Sequence, residues 1–208
     1  MSDKEIILDE FYVDAVAEVL NIGMGSAAAS LSEMINDEVK LSVPAVEFVT
    51  HEVAADYIND KAKMDVSGVH QHFKGAFSGD AMLLFPEQQS LQLVRAVLQQ
   101  DDITLDDLTE MEKEAMTEIG NVILNSCLCS MADIFGKEMQ GEIPEFVQGS
   151  INRILTKKGK GNQSDAIVLL LNMDFAVDKK NIQGYVIFLM DINEAIQLKA
   201  NIQEFLGE

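Results

Sequence analysis

The pattern of apolar residues along the chain predicts two long amphipathic helices. Between residues 10 and 35, apolar side chains recur at every third or fourth position and fall on one stripe of a helical wheel. A second pattern of this kind reaches about residue 135, and Thr109-x-x-Glu112 is a capping-box signature that predicts its start. The two predicted core stripes are Val13, Val16, Leu20, Met24, Ala27, Leu31 and Ile35, and Met116, Ile119, Gly120, Ile123, Leu124, Cys127 and Met131.

Shorter apolar runs between these helices predict strands. In the first half, strands are expected at about residues 39–52 and in a hairpin-like run over 64–85, before a short helix that starts near Pro86. In the second half, a short strand and a helix are expected around 139–157, strands at about 166–177 and 182–191, and a helix from 194. Each half therefore reads as a helix, a small antiparallel sheet and a further helix, which indicates the α+β class.

An internal repeat organises the whole chain. A four-residue motif occurs twice at an offset of 100, as Asp14-x3-Glu18-x2-Asn21-x22-Pro44 and as Glu114-x3-Glu118-x2-Asn121-x22-Pro144. Residues 79–85 resemble residues 184–190 at an offset of 105, which predicts a short insertion in the Gly/Lys-rich stretch 157–162. We expect one domain over 1–208, made of repeats at about 9–100 and 104–208. The repeats should form two helix-plus-antiparallel-sheet halves related by a pseudo-twofold, with the two long helices carrying the sites.

A second, polar stripe lies beside the core stripe of each long helix. Its members are Asp14, Glu18, Asn21 and Gly25 in the first helix and Glu114, Glu118, Asn121 and Asn125 in the second. Such a stripe can be an ordinary solvated face, but its recurrence with Pro at the same spacing favours a function. A Glu and an Asn three residues apart share a face, so a carboxylate and an amide can reach one external object. Neither is a nucleophile, so the pair would act by positioning and electrostatics.

Composition excludes several other classes of function. The 208 residues carry a formal charge of −20, which disfavours binding to nucleic acid or to an anionic membrane surface. The N-terminus has no signal-peptide pattern, and no apolar run can span a bilayer, so we expect a cytoplasmic protein. The two cysteines, Cys127 and Cys129, are expected to be buried, inert thiols. His70 and His72 are expected to be exposed strand residues without a metal, because no third ligand follows at a fixed spacing.

The repeated motif resembles the signature of the CheC, FliY and CheX phosphatases of bacterial and archaeal chemotaxis. The resemblance covers nearly the whole chain, and two copies of the motif together with residues 21–28 look most like CheC. A FliY-type protein would carry a further flagellar-switch domain, for which 208 residues leave no room, and a CheX-type protein has one site per chain.

The resemblance implies a substrate, a mechanism and the residues that serve it. The substrate would be the phosphorylated response regulator CheY, whose phosphoryl group sits on an aspartate with Mg²⁺ held by the regulator; no cofactor of this chain's own is implied. Glu18 and Glu118 would pair with the regulator's active-site Lys, and Asn21 and Asn121 would orient the attacking water. Asp14 and Glu114 would contact the partner beside them, while Pro44 and Pro144 would be structural and end or bend the strand after each helix.

Two departures from the family pattern and one rival function follow from the same comparison. Leu20 stands where the family often has Gly, which Gly120 retains, and Glu114 stands where Asp or Ser is usual. The rival is a non-catalytic module that sequesters a phosphorylated regulator or binds the deamidase CheD. CheD would bind the predicted helix at 145–151, where the resemblance implies an acidic contact near position 149 and this chain has Gly149.

Overall fold

The computed structural model describes residues 10–62, 65–99, 105–158, 166–177 and 180–207. In these ranges the chain forms six helices and seven strands. The helices are α1 (Glu10–Ile35), α2 (His51–Ala62), α3 (Glu87–Leu98), α4 (Leu105–Phe135), α5 (Ile151–Lys158) and α6 (Ile192–Leu206). The strands are β1 (Val39–Thr50), β2 (Val66–Gly75), β3 (Gly79–Pro86), β4 (Met139–Gly141), β5 (Glu145–Gly149), β6 (Ile167–Val177) and β7 (Lys180–Met190).

All seven strands belong to one antiparallel sheet, with the order β1-β6-β7-β3-β2-β4 and with β5 also paired to β2. The α+β class is thus confirmed, but the prediction of a separate small sheet in each half is wrong. The hairpins β2–β3 and β6–β7 join through β3 and β7, so strands from both halves share one set of hydrogen bonds. The edge strand beside each hairpin comes from the other half of the chain, because β1 pairs with β6 and β4 and β5 pair with β2.

The sheet is buried on both faces. Alternate residues of β3 show this, because Leu83 and Phe85 join a core with α1, α3, α4 and α6, whereas Met82 and Leu84 join a core with α2 and α5. Two-sided burial explains why the strands read as nearly continuous apolar runs. The long helices α1 and α4, which carry the polar stripes, cover the first of these two faces.

The predicted core stripes of the long helices are confirmed. In α1 every member from Val16 onward is buried, with Val13 partly buried, and in α4 the whole stripe is buried. The predicted start of α4 at Thr109 is wrong, because the helix begins at Leu105. Glu112 does not cap it: the carboxylate is buried and accepts hydrogen bonds from the hydroxyls of Ser67 and Ser90. The capping-box pattern Thr109-x-x-Glu112 therefore reflects a buried polar contact of Glu112 and not a helix cap.

The two long helices pack against each other in antiparallel directions. Gly23 of α1 lies against the backbone of Ser126 and Cys127, so closely that a Cβ at position 23 would fall 2.9 Å from the Ser126 carbonyl oxygen. Earlier residues of α1, such as Val19, share an apolar groove with later residues of α4, such as Met131. None of the helices within the described ranges is long and apolar enough to cross a membrane.

The helix α2 was not predicted from the sequence, and the helix expected at residues 145–151 is wrong over most of its length. Residues 145–149 form β5, paired with β2, and α5 starts only at Ile151. The surface predicted for CheD is therefore the edge of the sheet followed by a helix start. Pro44 lies at a register shift of β1, and Pro144 lies between β4 and β5, so each proline stands where edge pairing is interrupted.

The extra residues of the second half lie in the β6–β7 hairpin. Val69 pairs with Leu83 in the first hairpin, and Leu169 pairs with Phe188 in the second. The sequence offset between corresponding residues of the two halves is therefore still 100 in the first strand of each hairpin and 105 in the second strand. The prediction of an insertion at 157–162 is therefore wrong, although residues 159–162 themselves lie outside the described ranges. The predicted limits of the repeats near residues 9 and 100–104 also lie outside them.

Candidate functional site

The polar stripe of α1 is open to solvent. Asp14, Glu18, Asn21 and Gly25 are all exposed, whereas Leu20 and Met24, which lie between them in the sequence, are buried in the core. Glu18 and Asn21, here called the first site, lie on adjacent turns of one face. Asp14 lies on the same stripe, four residues before Glu18. A carboxylate and an amide are therefore presented side by side on a rigid helix.

The amide of Asn21 is tied to the sheet edge beside Pro44. Its Oδ1 accepts a hydrogen bond from the backbone N–H of Val43 at 3.3 Å, which joins α1 to β1. With the oxygen held in this way, the NH₂ group of the exposed side chain is presented outward. In the first copy of the motif, the residue just before Pro44 thus contacts the Asn through its backbone.

The second site is Glu118 and Asn121 on α4. Glu118 and Glu114 are exposed, and Asn121 is half-buried. The Oδ1 of Asn121 accepts from Nδ2 of Asn125 at 2.7 Å, and Oδ1 of Asn125 accepts from Nε2 of Gln71 at 2.9 Å. Both sites thus hold the oxygen of the motif amide, but the second does so through side chains.

Sequence reasoning had placed Asn125 on the stripe and had missed Gln71. Gln71 is almost completely buried in β2, on the strand face that also carries Val69 and Phe73. The sequence did contain a signal for Gln71, because it is a polar residue between two apolar residues on the strand face that packs against α4.

The two sites are not brought together. Asn21 is anchored at β1, one end of the strand order, while the amide chain of Asn121 leads to β2, beside β4 at the other end. Asn121 lies six residues before Cys127, and Asn21 lies two residues before Gly23, which touches Cys127. At a rise of about 1.5 Å per residue, the antiparallel helices separate the two asparagines by about 12 Å along their axes.

The departure at Leu20 is a packing difference. Leu20 is fully buried, and so is its counterpart Gly120. A Cβ at Gly120 would fall 2.0 Å from Cγ2 of Val69, so α4 approaches β2 more closely than any side chain at this position would allow. Both positions face the core, away from the exposed carboxylates.

The histidine prediction is wrong about exposure. His70 is buried, and its Nε2 lies 2.8 Å from Oδ1 of Asp80, which also lies 3.2 Å from Nδ1 of His72. Burial raises the pKa of Asp80, but the hydrogen bonds and charges of His70 and His72 outweigh it and lower that pKa from its usual value. Within the described ranges, no three His, Cys, Asp or Glu side chains are grouped to hold a metal.

This cluster predicts a pH-dependent contribution to stability. A lowered pKa in the folded state means that Asp80 stabilises the fold above its unfolded pKa of about 3.9 and loses this effect as the pH falls below that value. Asp80→Asn should therefore lower the free energy of unfolding by about 1.5–3 kcal/mol at pH 7, and the difference from the parent should shrink at pH 3. Urea unfolding at both pH values measures this, with the exposed Asp56→Asn as control. An equal loss at both pH values would show that the carboxylate charge is not responsible.

The two cysteines differ. Cys127 is fully buried, and burial raises the pKa of its thiol to about 12, so it is inert as predicted. Cys129 is exposed, which corrects the prediction for that residue. Residues two apart on a helix face different directions, and only one of these two meets the core.

Comparison with known proteins now bears on both motif copies. The profile of the CheC-like family matches residues 13–47, and that of the chemotaxis phosphatase CheX matches residues 67–164. Each copy of the Glu/Asn motif with its proline lies inside one of these segments. The chain is thus similar to the CheC/FliY/CheX family in both segments.

Individual members of the family are distant in sequence. The chain is 26% identical to the CheY-P phosphatase CheC of Bacillus subtilis over 140 residues, which are 66% of each protein. It is also 26% identical to the flagellar motor switch phosphatase FliY of that organism over 133 residues, 64% of this chain and 34% of FliY. The fold is that of Thermotoga maritima FliY, with a TM-score of 0.76 and 16% identity over 95% of this chain and 98% of that structure.

Proposed function

We propose that this chain is a phosphatase that hydrolyses the aspartyl phosphate of a CheY-type response regulator in the cytoplasm. The observation that carries the proposal is the presentation of an exposed Glu with an Asn one turn later, in two copies, each with its amide oxygen held by the chain itself. A solvated surface would not need to fix the amide. The name of the Bacillus subtilis relative, a CheY-P phosphatase, supports the choice of substrate.

Docking would rest on the carboxylates. Glu18 or Glu118 would pair with a Lys beside the phosphorylated aspartate of the regulator, and Asp14 or Glu114 would add to the negative surface one turn earlier. The formal charge of −20 favours the encounter with a surface that presents cations.

Hydrolysis would rest on the amides. The NH₂ group of Asn21 or Asn121 would hold the oxygen of a water in line with the bond that breaks. The water oxygen forms a bond to phosphorus while the bond from phosphorus to the aspartyl oxygen breaks, and the proton of the water passes to the phosphate. The products are inorganic phosphate and the free carboxylate of the regulator. Mg²⁺, which neutralises the phosphoryl oxygens, would belong to the regulator and not to this chain.

We further infer that the chain arose by internal duplication and that its halves are related by a pseudo-twofold. The strand order supports this. With β1 equivalent to β4, β2 to β6 and β3 to β7, exchanging each strand for its counterpart gives the same order read from the opposite edge of the sheet. The axis would pass the pair Met82 and Ile187, which are neighbours in the β3–β7 ladder and are equivalent at the offset of 105. Each site would therefore act separately on its own regulator molecule.

The docking role of Glu118 can be tested by charge reversal. In a Glu18→Lys background, which disables docking at the first site, Glu118→Lys should weaken binding of the beryllofluoride-activated regulator at least tenfold. A close charge pair at an interface contributes roughly 1.5 kcal/mol or more, and here it is replaced by repulsion. The dissociation constant from a titration followed by fluorescence or calorimetry measures the effect.

The matched control is Asp133→Lys in the same background. Asp133 is also an exposed acid of α4, and its reversal changes the net charge by the same amount. If both variants weakened binding equally, the effect would come from overall charge, and Glu118 would lose its proposed docking role.

A further inference from the structure

The second site contains a chain of three amide side chains, of which only Asn121 belongs to the repeated motif. Asn125 donates from Nδ2 to Asn121 Oδ1 at 2.7 Å, and Gln71 donates from Nε2 to Asn125 Oδ1 at 2.9 Å. We propose that Asn125 and Gln71 are positioning residues that fix the orientation of the Asn121 amide. The inference rests on the proposed phosphatase function and adds to it the residues that prepare the second site.

The chain of hydrogen bonds has a direction. Each link uses an NH₂ donor and a carbonyl acceptor, so Gln71 sets the rotation of Asn125, and Asn125 sets the rotation of Asn121. If the Asn121 amide turned over, its NH₂ group would face the NH₂ group of Asn125, and the bond would be lost. The outward group of Asn121 is therefore its NH₂, which is the group needed to hold a water oxygen.

The start of the chain is enclosed by the fold, although the buried Oε1 of Gln71 has no hydrogen-bond partner within the described ranges. Gln71 is 1% exposed, and the backbone of Gly141 in β4 lies so close that a Cβ there would fall 1.8 Å from Gln71 Nε2. The missing side chain at position 141 thus leaves the room that the Gln71 amide occupies. A surface asparagine pair without this buried anchor could rotate freely.

The first site lacks every element of this arrangement. At the offset of 100, the counterparts of Asn125, Gln71 and Gly141 are Gly25, Leu171 and Leu41. Asn21 is held instead by the backbone N–H of Val43, at the longer distance of 3.3 Å. The chain of three amide side chains is therefore a property of the second site, and substitutions in this chain should not affect the first site.

The decisive variant is Asn125→Asp in an Asn21→Ala background, where only the second site works. A carboxylate at 125 still accepts from Gln71 but has no NH₂ group, so it should attract the NH₂ of Asn121 and turn that amide over. We expect kcat for phosphate release from a CheY-type regulator, phosphorylated with acetyl phosphate, to fall about tenfold or more while KM changes less than twofold. Asn152→Asp, the same change at an exposed position of α5, should leave both constants unchanged. An unchanged kcat for Asn125→Asp would overturn the proposal.

A second readout does not depend on activity. The side-chain NH₂ signals of Asn121 in a ¹⁵N–¹H spectrum should shift strongly in Asn125→Asp and in Asn125→Ala, and should stay in place in Asn152→Asp. If the parent protein released no phosphate, the proposed function would fail, and these signals would still decide whether Asn125 and Gln71 orient the Asn121 amide. Unmoved Asn121 signals in both Asn125 variants would refute the positioning role.

Discussion

Asn21→Ala and Asn121→Ala should each remove only part of the phosphatase activity, whereas the double variant should lose it by at least about a hundredfold. Each site presents its own carboxylate and its own anchored amide, and the sites lie at opposite ends of the sheet order. The rates of the two single variants should therefore sum to that of the parent. Gly120 preserves the close packing of α4, so we expect the second site to carry the larger share. The test is the initial rate of phosphate release under saturating regulator, measured for the parent, the two single variants and the double variant.

Binding provides the control for this result. The amides act on water, and the carboxylates Glu18 and Glu118 supply most of the docking, so the double Asn variant should bind the activated regulator almost as well as the parent. A loss of affinity as large as the loss of rate would contradict the division between docking and water positioning. If either single change removed all activity, the sites would be coupled or one of them inactive.

Gly120→Ala should destabilise the protein by about 1–3 kcal/mol, because overpacking a filled core forces its neighbours to move. The new Cβ would fall 2.0 Å from Cγ2 of Val69, which is itself fully buried and cannot swing into solvent. The same substitution at Gly25 should have the opposite sign. Its Cβ would meet nothing within 4 Å, and alanine is more favourable than glycine in a helix interior by about 1 kcal/mol. Urea unfolding of both variants measures the two free energies.

The close approach to Val69 can be isolated by a double substitution. Val69→Ala alone should cost stability through a cavity, but combined with Gly120→Ala the total loss should be smaller than the sum of the two single losses. Strict additivity would show that Val69 is not the group that excludes a side chain from position 120.

The long helices could be predicted from sequence because one periodic pattern spans many turns. The limits of α1 are those predicted, and its core and polar stripes are confirmed. The helix α2 was missed, although the repeat held the signal: its counterpart α5 was expected at the same offset. Strand pairing between halves could not be read from local patterns, because the partner of β1 is β6, more than a hundred residues later.

The candidate site was predictable only as far as surface stripes allow. Wheel positions gave the exposure of Glu18 and Glu118, since both lie off the core stripe, but they did not show that Asn121 is half-buried. What holds the amides depends on tertiary contacts of the Val43 backbone and the Gln71 side chain, which no spacing encodes. The same reason explains His70, whose burial depends on Asp80 in the neighbouring strand.

The central claim is that this chain turns over phosphorylated regulator, and a count of phosphate released per chain tests it most directly. A trace amount of protein is mixed with an excess of about a hundredfold of a CheY-type regulator that has been phosphorylated and freed of phosphodonor. The account predicts that each chain releases many equivalents of phosphate, far faster than the regulator alone, and that the Asn21→Ala and Asn121→Ala double variant does not. A sequestering module would instead change the fate of at most the stoichiometric amount of regulator that it binds, and that result would contradict the assignment as a phosphatase.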